Sequence, residues 1–154
     1  MPNGAQIHLL LNHIPVFGTA FGILILVASM ALKNESWRSA AMIVLLASAL
    51  GTVPAYLTGE PAEEVVEEMQ GIDKEAIEEH EDGAMFVLIG VELLGALALF
   101  GLWQSRGGGK VSSGVANSAL VLGLIVMAIV ARTAHQGGEI HHPEIRPGFT
   151  APTE

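Results

Sequence analysis

With 154 residues the chain has room for one domain. Its composition, 51% hydrophobic and 15% charged with a mean hydropathy of +0.50, is that of a membrane protein, because soluble domains average about 25% charged residues. Cysteine is absent, which excludes thiolate metal sites, iron–sulfur clusters, covalently attached c-type haem and disulfides. The net charge of −9 is local: residues 60–82 hold eleven acids against Lys74, so the rest of the chain sums to +1 and carries no basic patch for nucleic acid.

Residues 7–32 are apolar apart from His8, Asn12, His13, Thr19 and Ser29. That matches the roughly 20 apolar residues a membrane helix needs. The short N-terminus has neither Lys nor Arg nor a small-residue cleavage pattern, so this first span is expected to be retained. Pro15 is compatible with the first turn of a helix or with a kink. Lys33 to Ser36 form a polar turn, Trp37 is an interfacial aromatic, and residues 39–57 make the second span. Gly51 and Ala55 follow small-xxx-small spacing, which allows close backbone approach; Pro54 is expected to kink the end of the span.

The acidic segment 60–82 comes next. Pro61 suits a first helical position, and Val65, Val66 and Met69 give a short amphipathic helix that Gly71 should break. Asp73 reads as an N-cap, with Ile72 and Ile77 placed for a hydrophobic staple. The third helix should therefore start about two turns before its membrane portion, residues 84–103, and carry His80 in at its edge. A Gly-rich link, residues 104–113, leads to the fourth span, residues 115–134. Gly137-Gly138 then read as its C-cap, because glycine takes the left-handed cap conformation cheaply. The tail, residues 143–154, is Pro-rich and without period. The fold expected is an all-α membrane protein: a four-transmembrane-helix up-down bundle over residues 1–142, with an acidic amphipathic helix between spans 2 and 3 and an extended tail.

Lys33, Arg38, Arg106 and Lys110 fall in links 1–2 and 3–4, whereas link 2–3 is acidic. The positive-inside rule then puts both termini and the acidic segment on the periplasmic side of a bacterial inner membrane. On that topology His8, His13, His80, His135, His141 and His142 all lie at one membrane face.

Single interfacial histidines are commonly amphipathic anchors, and the helix macrodipole alone favours His135 in a last turn. His13, His80 and His135, one from each of three helices, nevertheless suggest a shared site. Two such histidines can hold a b-type haem without a covalent motif, with room left by Gly83, Ala84, Ala128 and Ala131 and with Arg132 placed for a propionate. The alternative is a haem-free Zn, Cu or Fe site drawing on the same histidines, on His8, His141 and His142, and on carboxylates such as Glu139, Glu60 or Glu81. A cofactor-free structural subunit is the third reading. Glu92 sits mid-span, where an ionised carboxylate costs at least ~2.5 kcal/mol. It reads as part of a proton or quinone path, or as a carboxyl bonded to Asn117 or Ser118. The acidic segment is either a solvated face or a docking site for a basic c-type cytochrome. No nucleophile–base pair or phosphate-binding loop is visible, and Gly107-Gly108-Gly109 reads as a bare linker.

Asn12-His13-Ile14-Pro15, Thr58-Gly59, His80 and Gly137-Gly138-Glu139-Ile140 together resemble a widespread uncharacterised bacterial family. Its members are four-helix membrane proteins with a His-Phe-Pro-like start and a Gly-Gly-Glu ending. The resemblance spans most of residues 8–142, with Ile14 in place of the usual aromatic. It implies four spans and draws attention to His13, His80 and Glu139, but it implies no particular ligand. As an electron-transfer subunit the chain would pass electrons between a quinone or partner membrane subunit and a periplasmic carrier.

Overall fold

The computed structural model describes residues 3–69 and 72–150. It contains six α-helices: α1 Gly4–Leu11, α2 His13–Ala31, α3 Glu35–Leu57, α4 Gly59–Val66, α5 Lys74–Gln104 and α6 Ser113–His141. The break expected at Gly71 lies outside the described residues. Four stretches are long and apolar enough to cross a membrane: Gly4–Ala31, Glu35–Val66, Lys74–Gln104 and Ser113–His141. Only 33–39% of each apolar window is buried inside the bundle. The remainder, including Phe17, Leu24, Leu50, Phe86, Leu93 and Leu124, is exposed and equally apolar, so the outer surface requires lipid rather than water.

The order around the bundle is α2, α3, α5, α6 and back to α2, with α2 and α5 facing across it. Each seam is closed where a glycine lets a neighbouring side chain reach the backbone. Ser48 occupies the space beside Gly18, Ile14 that beside Gly51, Ala49 that beside Gly95, and Ile23 that beside Gly123. The core has two layers. Leu26, Met42, Leu45, Leu94 and Ala119 fill one end, and Val87, Val91, Val126 and Val130 fill the half nearer the histidines. Between them Thr19 Oγ1 and Ser48 Oγ share a 3.3 Å hydrogen bond, and Thr52 Oγ1 donates to the Ser48 carbonyl at 2.8 Å. Buried hydroxyls in a bilayer need such partners.

Local chemistry explains the helix ends. Asn34 accepts from Trp37 N, Asp73 from Glu75 N and Ser112 from Val115 N, as expected for short polar N-caps. Pro15 is in the first turn of α2, and the chain turns at Asn12 just before it. Proline cannot donate to the carbonyl four residues back and crowds it, so the first span divides into α1 and α2. Two expectations fail. Gly137-Gly138 do not end the last helix, which runs on to His141, because Gly137 serves a packing role described below. Nor is the segment after the helix simply extended. Pro143–Ile145 form a 3₁₀ turn, and Arg146 folds back, donating to the carbonyls of Glu139 and Ile140 at 2.7 and 3.1 Å and pairing with Asp73 at 3.4 Å. One side chain thus satisfies the end of α6 and ties it to the start of α5.

Gly95→Val should therefore force α3 and α5 apart and cost about 1–3 kcal/mol, lowering the thermal midpoint in detergent. Ala96→Val, on the exposed face of the same helix, should leave the midpoint unchanged.

Candidate functional site

The histidine end of the bundle is built on α1, α3, α5 and α6. His8, half-buried on α1, donates from Nδ1 to the Ala55 carbonyl at 3.1 Å and lies 3.3 Å from Thr58 Oγ1. That hydroxyl is itself held by the carbonyls of Ala55 and Pro54. His80, half-buried on α5, donates from Nδ1 to the Thr133 carbonyl at 2.9 Å. The two rings are 6.5 Å apart, centre to centre, and nearly perpendicular at 87°. In each imidazole the backbone carbonyl fixes the proton on Nδ1, which leaves the Nε2 lone pair as the free ligating or accepting atom.

Small residues make room for this arrangement. A Cβ on Gly137 would lie 2.9 Å from His80 Cε1 and 3.0 Å from Nδ1; one on Gly83 would meet Thr133 Oγ1 at 2.6 Å and Gln136 Oε1 at 2.9 Å. Gln136 is buried, donates from Nε2 to Glu79 Oε2 at 3.4 Å, and keeps Oε1 sealed without a partner. The space beside Gly83 is therefore taken by Thr133 and Gln136, while Ala128 and Ala131 face outward. They do not line a porphyrin cavity next to His80.

The other candidates lie elsewhere. His13 is exposed, donates to the Leu9 carbonyl at 3.2 Å and stacks on Phe17. His135 is exposed and pairs with Glu139 at 3.4 Å. His142 pairs with Glu144 at 2.9 Å, and the Glu144 carboxyl is held below its ordinary range by its own backbone N–H and by His142. His141, Arg132, Glu60 and Glu81 are exposed. His13, His80 and His135 are thus not gathered. Among the described residues no three His, Asp or Glu side chains come together in a way that could hold a metal ion. The cause is helical rotation of about 100° per residue: with Thr133 and Gly137 turned toward α5, Arg132 and His135 are carried away from it. Thr133, Gln136 and Gly137 were missed in the sequence, although their i, i+3, i+4 spacing continues the buried stripe of Val126 and Val130.

Glu92, the only ionisable residue in 84–103, has Oε1 buried and unpartnered. The hydrogen bond expected to Asn117 or Ser118 is not formed, because both are exposed on the outer face of α6. The acidic segment carries its own strain. Partial burial, with the charges of Glu81, Glu67, Glu60 and Glu78, pushes the Glu63 carboxyl up from its ordinary value.

Residues 4–142 match a family model described as a predicted membrane protein, DUF2231, and the chain belongs to that family. No curated protein and no solved structure matches it. The resemblance read from the helix-end motifs is thereby borne out, including its implication of four membrane-spanning helices.

Two predictions follow from the site. Gly137→Ala should displace the His80 ring and cost about 1–3 kcal/mol, read as a lowered thermal midpoint and a changed His80 nitrogen NMR signature. Gly138→Ala, whose new Cβ would meet only Ile145 at 3.4 Å, should be neutral. For Glu63 the folded chain holds its proton to higher pH than the unfolded one, so stability falls as pH rises through and above about 4.5. Hydrogen-exchange protection factors in α4, corrected for the intrinsic pH dependence of exchange, should be higher at pH 5 than at pH 7, and Glu63→Gln should reduce that difference.

Proposed function

We propose that this DUF2231 member is an electron-transfer subunit of a membrane redox complex, in which His8 and His80 would hold a b-type haem that supplies one-electron chemistry when bound. The observation that supports this is the pair's placement: ring centres 6.5 Å apart, with both Nδ1 atoms anchored on backbone carbonyls so that Nε2 is the atom left to ligate. Haem iron needs only two protein ligands, which suits a site where no third His, Asp or Glu side chain joins among the described residues.

The loop charges support an orientation with this site on the periplasmic side of a bacterial inner membrane. There the acidic segment 60–82 offers a basic c-type cytochrome an electrostatic landing surface, and the sealed carboxyl of Glu92 provides a polar contact toward a quinone or a proton path.

A second reading, a haem-free Cu, Zn or Fe ion held by the same two imidazoles with solvent completing its shell, is favoured by one observation. Thr133, Gln136 and His80 already fill the spaces beside Gly83 and Gly137, so a small ion fits there with less rearrangement than a macrocycle. Absorption spectra, the pyridine haemochrome assay and metal analysis of the purified chain separate the readings. About one haem per chain is expected, lost in His8→Ala and His80→Ala and kept in His13→Ala and His135→Ala. Stoichiometric metal without a Soret band supports the bare ion. Neither haem nor metal leaves a cofactor-free structural subunit of a larger assembly.

A further inference from the structure

The end of the bundle opposite the histidines carries Lys33, Arg38, Arg106 and Lys110. Arg38 is already engaged, donating to Glu35 and to the Val111 carbonyl, each at 3.1 Å. Arg106 is exposed and, among the described residues, its side chain makes no hydrogen bond or ion pair. Its side chain instead lines a shallow groove on the outside of α5, together with Ala96, Leu99, Phe100 and Trp103. Phe100 and Trp103 stack at 5.8 Å with planes 25° apart, giving an aromatic wall at the depth where tryptophan marks a membrane interface.

Gly107 takes a left-handed conformation, φ 65° and ψ 24°, directly after helical Arg106, and nothing lies within 4 Å of the Cβ positions of Gly107 or Gly108, so the guanidinium stands beside an open turn. What reads as a bare linker in the sequence is a cationic turn at the mouth of an apolar groove. A free phosphate would use only the turn. A ligand with an anionic head and an aliphatic tail uses both parts.

We infer that this groove binds one anionic phospholipid, its phosphate held by the Arg106 guanidinium and an acyl chain lying along Ala96, Leu99 and Phe100. Guanidinium pairs with phosphate oxygens through its planar fork, and Lys110 adds charge in the same loop. The site is independent of the histidine pair.

Native mass spectrometry of the full chain in detergent tests it, comparing phosphatidylglycerol with phosphatidylcholine of identical acyl chains. The anionic lipid should bind about fivefold better, the effect of one Arg near a membrane surface. Arg106→Ala, at a position without partners, should keep its helical content and lose the preference. In a Trp37→Phe background, phosphatidylglycerol with brominated acyl chains should quench Trp103 fluorescence. Equal binding of the two lipids, a preference that survives Arg106→Ala, unquenched Trp103, or displacement of the lipid by inorganic phosphate alone would each overturn the assignment.

Discussion

The imidazole of His80 lies against Gly137 where any other residue would put a Cβ, and much of the site's geometry follows from that contact. It brings α5 and α6 to backbone distance at the histidine end. It also directs Nδ1 onto the Thr133 carbonyl and sets the ring 6.5 Å from that of His8, centre to centre. Because the glycine is needed for packing, it cannot also be a helix stop, so α6 continues a further turn. That extra turn carries Glu139 and Ile140 to where Arg146 caps their carbonyls and reaches Asp73 at the start of α5. A ring packed on a glycine and a guanidinium over a helix end thus hold the same two helices together.

Inside the bilayer the governing constraint is different. Water cannot satisfy stray polar atoms there, so three hydroxyls of the core are answered within the bundle: Thr19 by Ser48, Thr52 by the Ser48 carbonyl, Ser29 by the Leu26 carbonyl. Glu92 departs from that pattern. Its sealed oxygen has no partner, and unmet polar groups of this kind cost about 1–3 kcal/mol. The contact between Gly95 and Ala49 places Glu92 and Thr52 at the same level, each one turn nearer the histidine end.

The two ends of the bundle are chemically opposite. At the histidine end, burial and then the neighbouring acids of α4 and the start of α5 raise the Glu63 carboxyl. At the other end the cations are few and divided between structural and open roles. Arg38 locks the α3 entry to the loop before α6, whereas Arg106 faces outward beside a groove of apolar side chains.

The number of spans, the Asp73 cap and the segregation of histidines and acids to one end were legible in the sequence. Partition into lipid depends on composition summed over about 20 residues, and caps depend on residues only three apart. Family membership was legible for a similar reason, through short motifs at helix ends. Which histidine faces inward was decided only by the tertiary structure. His8 and His13, or Thr133 and His135, differ by a few residues, and at about 100° per residue a few residues reverse the direction of a side chain. Fixing that direction required the turn at Asn12 and the register set by Gly83 and Gly137 against their neighbours, and both depend on contacts between helices distant in the chain.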